Sequence, residues 1–188
     1  YVNIFFEEKM LLDNHVVNIN HEVDEWLISF NQAISTQISK EASIDLLYKL
    51  FFNDSHWRDL LALTWKIQTI SGNKNIIPKI YESIVAVQAR SFSIDIKRTL
   101  PREVKRADKK VIEVILTFET EFGKCEGIVR LYNDIDGDGK LKAWNFLTAL
   151  NELQDKETKD KNLYNHNIKG PNWLDLRNED KSYNDRDP

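Results

Sequence analysis

The spacing of apolar residues in this chain changes once, near Ser91, and that change limits the fold more than any other feature. Before it, apolar side chains recur at helical intervals. Trp26, Leu27, Phe30, Ala33, Ile34 and Ile38 predict an amphipathic helix over 23–37. Ser43 opens a second helix whose stripe is Ile44, Leu47, Tyr48, Leu50 and Phe51, and Asn53-Asp54-Ser55 stops it. A third is predicted over 75–89, with Pro78 in its first turn, where a missing N–H is tolerated. Between the second and third, Trp57, Leu61, Leu63, Trp65 and Ile67 fall on odd numbers, which predicts a strand toward the end of 56–69. After Ser91 the period is two. Phe92, Ile94 and Ile96 alternate, and 111–120, 127–132 and 141–153 read as strands. Asp134 to Gly139 is a compact turn joining the last two as a hairpin. Helix, helix, strand, helix and then antiparallel strands is an α+β order, with about three helices on one face of a curved sheet.

The 188 residues suit one domain with flanking segments. The expected division is an extended arm over 1–21, a folded domain over 22–157 and a polar extension over 158–188. Hydrophobic residues at 41% supply a single core, and a net charge of −4 gives no global reason to expect nucleic acid or an anionic membrane as partner. Seven Lys/Arg lie between Lys97 and Lys110, against Glu103 and Asp108. Without interleaved aromatic residues, this run reads as a solvated loop between two strands, with docking of an acidic partner as the second reading. The single cysteine, Cys125, excludes an intrachain disulfide and fits a reducing, cytoplasmic setting. No apolar run approaches the roughly 20 residues that a membrane-spanning helix needs.

Few residues carry a chemical signal. Trp57, Arg58, Asp59 and Trp65 are the leading group: a carboxylate beside apolar walls can serve as a base because desolvation favours its neutral form. Asp59 is therefore the candidate catalytic residue, with Trp57, Arg58, Trp65, Arg130 and Trp144 as candidate pocket lining. The same residues also read as core tryptophans beside an ordinary Arg58–Asp59 ion pair. Asp134, Asp136, Asp138 and Gly139 match the first half of a calcium loop, but Asn145 stands where a bidentate Glu is required and both flanks read as strands. They are weak metal candidates. The four histidines show no i, i+4 pair, Cys125 has no companion, and there is no GxGxxG or P-loop.

Three segments carry a family resemblance. One is Asp54-Ser55-x-Trp57-Arg58-Asp59 followed by Leu61-Ala62-Leu63-Thr64-Trp65. The second is Lys142 to Leu153. The third is the closing Gly170-Pro171-Asn172-Trp173-Leu174-Asp175, running to Asp187-Pro188. Together they resemble the N-terminal, nuclear transport factor 2-like (SnoaL-like) domain of flavin-containing monooxygenases and the connector before their FAD-binding domain. The resemblance covers about 22–188, with the Asn/Lys-rich stretch 158–169 as a departure. It implies the cone-shaped fold of that name. It also implies a parent that uses FAD and NADPH to oxygenate a small organic substrate, with both cofactors held beyond Pro188.

On that reading this chain binds no cofactor itself. Its partners are the FAD/NADPH-binding domain of the same polypeptide and, through the open sheet face, a second copy. The residues leave two other readings. One is an autonomous isomerase or dehydratase that binds a small molecule and uses Asp59. The other is an interaction module with a filled core. A cavity lined by Trp57, Trp65 and Trp144 favours the first, and a packed interior favours the second. Trp173 is expected to dock onto the cone or to stay mobile until the next domain is present.

Overall fold

A computed structural model describes residues 19–154. Residues 1–18 of the expected arm, the extension over 158–188 and the docking of Trp173 lie outside the described residues; residues 19–21, expected in the arm, are helical instead. Helix α1 covers residues 19–33 and buries Val23, Trp26, Leu27, Phe30 and Ala33 along one stripe. Helix α2 is Lys40–Leu50, three residues longer at its start than the apolar pattern predicts. Ser39 caps it by accepting from the Ala42 N–H at 3.3 Å, with Glu41 in the first turn and Lys49 in the last, each favourable to the helix dipole. Helix α3 is Asn73–Ala86 and begins after Gly72, whose φ of 81° suits glycine. Pro78 therefore sits past the first turn, contrary to the expected start at 75. It cannot donate to the carbonyl of Lys74.

The strands are β1 Phe51–Leu60, β2 Ile67–Ser71, β3 Arg90–Ile94, β4 Arg102–Arg106, β5 Lys109–Thr120, β6 Gly123–Asn133 and β7 Leu141–Leu153. They form one sheet in the order β2-β1-β7-β6-β5-β3, with β4 also paired to β5. β1 runs parallel to β7 and every other pairing is antiparallel. The order of helices and strands is the α+β one expected from the sequence, except that two strands, β1 and β2, stand between α2 and α3 where one is predicted.

Two strands depart from expectation. β1 starts directly at the end of α2, where Phe51 turns extended, so it takes in the predicted Asn53-Asp54-Ser55 stop and the start of the odd-numbered run, while β2 closes that run as expected. The basic stretch is not a solvated loop. It contains β4 and the start of β5, joined through Ala107 and Asp108 at φ 45° and 64°. That is a tight hairpin with a left-handed pair at its tip, built without the Asn-Gly or Asp-Gly that usually marks one.

Alternation gives the sheet two unlike faces. Toward the helices it sends Phe51, Trp57, Val114, Phe118, Val129 and Phe146, all buried. Phe30 of α1 meets them, its ring 5.1 to 6.5 Å from the rings of Trp26, Phe51, Phe92 and Phe146. Aromatic rings thus occupy the interior of the cone. The opposite face carries Leu60, Ile115, Ile128 and Leu147, each half-buried, beside a polar row of Arg102, Glu113, Arg130, Asn145, His56 and Ser71.

Candidate functional site

Asp59 lies on β1 directly opposite Thr148 of β7, in register across the parallel pair. Its side chain points inward and is fully buried. Four donors converge on the carboxylate. They are the Leu63 N–H at 3.1 Å, the Thr64 N–H at 2.8 Å, the Thr64 hydroxyl, and the Thr148 hydroxyl at 2.7 Å. Thr148 in turn accepts from the Trp57 indole N–H at 3.0 Å. The result is one buried chain, Trp57 to Thr148 to Asp59, ending on the loop that joins β1 to β2.

That loop carries Leu61 at φ 65° and Trp65 at φ 53°. Bulky residues pay roughly 1–2 kcal/mol each in this region. Two backbone bonds to Asp59, and the Leu61 N–H to the Lys66 carbonyl at 3.2 Å, hold the loop there. The chemistry that this geometry performs is mechanical: a carboxylate with its lone pairs engaged by neutral donors fixes a turn.

The six sequence-predicted lining residues do not converge. Trp57 and Asp59 are neighbours in the interior. Arg58 points to the other face and donates to the Thr69 hydroxyl at 3.3 Å, making no ion pair with Asp59. Trp65 is 46% exposed and stands edge-on to Phe122 at 5.1 Å. The two rings border a groove of about 580 Å³ with Leu63, Thr64, Lys79 and Glu82. Thr64 stands between this groove and Asp59. Arg130 and Trp144 lie on the helix-free face.

That face holds a second buried carboxylate, absent from the sequence-predicted set. Glu113 of β5 receives Arg130 at 2.9 Å, Arg102 at 3.2 Å and Arg106 at 3.4 Å. Burial alone would raise its pKa. The hydrogen bonds from Arg130 and Arg102, with the charges of Arg130 and Arg106, overcome that and leave it below the ordinary carboxylate value. Beside it, Lys109 Nζ sits 4.9 Å from the Tyr132 ring centre and 4.8 Å from that of Trp144. Phe52 stacks on Tyr132 at 4.0 Å. Trp144 reaches this position because a bulge in β7 sets two residues, Trp144 and Asn145, against Arg130 of β6. The sequence signal was the two-residue spacing of Arg102, Val104 and Arg106, hidden by the reading of that stretch as a loop.

The Asp/Gly turn between β6 and β7 is closed by lysine. Lys142 Nζ lies 2.6 Å from Asp134 and 3.7 Å from Asp138, and Asp136 is exposed. The hydrogen bond that Lys142 donates to Asp134 raises the Lys142 pKa, so the ammonium persists there. Among the described residues no three His, Cys, Asp or Glu side chains gather as a metal site. Cys125 is buried, and burial pushes its thiol up to about 11, far from a reactive thiolate. No described helix is long and apolar enough to cross a membrane.

No protein-family model and no curated protein matches the chain. Solved structures do. A nuclear transport factor 2-like superfamily protein from Salmonella enterica serovar Typhimurium is 10% identical over 79% of this chain and 98% of its own, with a TM-score of 0.48. Nuclear transport factor 2 from Cryptosporidium parvum is 18% identical over 71% and 93%, with a TM-score of 0.46. A putative isomerase of the SnoaL-like family from Agrobacterium tumefaciens is 10% identical over 70% and 99%, with a TM-score of 0.45.

Proposed function

We propose that this cone is a non-catalytic domain that works by docking, as the front domain of a flavin-dependent monooxygenase-like polypeptide. The observation that carries the non-catalytic part is the closure of Asp59. A general base must reach a substrate proton within about 3 Å, directly or through one water. Asp59 is fully buried and held by four protein donors, two of them backbone N–H groups. The flavin part rests on the three resembling segments named above, the last of which lies outside the described residues. On this reading FAD and NADPH belong to another domain. The half-buried row of Ile115, Ile128 and Leu147 is the surface that meets it.

The test is to incubate the purified chain with FAD, desalt it, and record the ultraviolet–visible spectrum. The expected result is no retained flavin band. A stoichiometric band would overturn the division of labour. A second reading, an autonomous small-molecule binder, is favoured by the groove beside the exposed Trp65. It predicts that a small aromatic ligand shifts tryptophan emission in the wild type and not in Trp65→Leu.

A further inference from the structure

The basic run lacks aromatic residues in sequence, but the fold brings them from elsewhere. Register places Arg102, Glu113 and Arg130 side by side across β4, β5 and β6. The row at Val104 and Val111 continues to the Tyr132 end of β6, and Arg106 pairs with Lys109 in the row beyond. Trp144 reaches the same corner from β7 through its bulge. Three arginines, Arg102, Arg106 and Arg130, share one carboxylate, Glu113, and Lys109 adds a fourth cation over the Tyr132 and Trp144 rings, so these five side chains sum to 4 − 1 = +3 in a chain of net charge −4. Arg102 and Arg106 are 54% and 46% exposed, and each gives Glu113 only one terminal nitrogen. Their remaining N–H groups are available to an anion.

We propose that this corner binds single-stranded nucleic acid, with phosphates on Arg102 and Arg106 and a base against Trp144. Charge and ring spacing carry it. Alternate residues on one face of a strand are about 7 Å apart, so arginines and rings lie within one nucleotide unit of each other. The lack of recognised base-edge readers makes the binding sequence-tolerant. Neighbouring acids limit the path. Asp108 is paired with Lys105, and Asp134 and Asp138 with Lys142. The strand therefore runs from Trp144 across the arginines and away from the Asp134–Gly139 turn. The site lies on the same face as the docking proposed above, in the polar row next to the apolar one.

The experiment is fluorescence anisotropy of a fluorescein-labelled ten-nucleotide oligothymidylate titrated with the full chain. At 50 mM salt a Kd near ~10⁻⁵ M is expected, in the range of sequence-independent binding. With roughly three phosphates neutralised on a single strand, raising salt to 200 mM weakens binding about 20-fold. Arg106→Gln weakens it about fivefold and flattens the salt dependence, and Trp144→Leu weakens it roughly tenfold. Lys74→Gln, an exposed cation on α3, leaves it unchanged. Circular dichroism checks folding, and Lys109→Gln replaces any variant that fails it. No binding at 50 mM salt overturns the proposal. So does equal loss in Lys74→Gln. Competition by a ten-residue polyglutamate peptide at the oligonucleotide's own concentration overturns it too, because the corner would then be an acidic-peptide site.

Discussion

The two buried carboxylates of this sheet, Asp59 and Glu113, face opposite sides and are satisfied by opposite means. Asp59 points at the helices and takes two backbone N–H groups and two hydroxyls, all neutral. Glu113 points away from them and takes three guanidinium groups. Neutral donors occupy the oxygens of the first carboxylate and seal it from any ligand, so it works as a structural clamp. The second is over-compensated, and the excess positive charge stands half-exposed on the surface. Burial of a titratable group is therefore not by itself a sign of chemistry. What surrounds it decides whether anything remains to be recognised.

The comparison breaks most visibly at Asp59. Asp59→Ala orphans buried donors and frees a loop with two left-handed residues, so a loss of about 3–4 kcal/mol in urea unfolding is expected. Thr148→Val removes the hydroxyl shared by Asp59 and the Trp57 indole, and should cost about 2 kcal/mol.

Glu113→Gln leaves three half-exposed guanidiniums without their counter-charge, with a cost of about 1 kcal/mol at neutral pH. Its pH dependence sharpens the contrast. Because the folded-state pKa of Glu113 lies below its unfolded value, its contribution is fully present above about pH 4.3. It is lost as pH falls through the depressed folded value. The stability gap between wild type and Glu113→Gln should therefore be constant above pH 5 and close below about 4. The smallest effect belongs to Trp65→Ala. Half-exposed and touching mainly Phe122, it should cost less than about 1 kcal/mol.

Much of the architecture was legible. The helix stripes of α1 and α3 and the two-residue alternation of β5 to β7 come from one-sided burial, which a sequence records directly. The start of α2 was missed because it depends on a cap, Ser39, outside the apolar stripe. β4 was missed because its outward side chains are arginines and its turn is Ala107-Asp108, where propensity points to a loop and tertiary pairing wins.

The site was harder. Asp59 stood out in sequence beside Trp57, and the two are coupled, but through Thr148, which lies 89 residues away and carries no local signal. Arg58 looked like its ion partner, yet adjacent strand residues point to opposite faces. Glu113 drew no notice because its three partners come from two other strands.

The most direct measurement is backbone amide exchange at Leu63 and Thr64, the two N–H groups that end on Asp59. If Asp59 is a clamp, both amides exchange as slowly as the core strands, and Asp59→Asn speeds them roughly 30-fold, equivalent to about 2 kcal/mol. Exchange in the wild type at the rate of an open loop would contradict the account. It would mean that the carboxylate is released in solution and free to take a proton from a substrate.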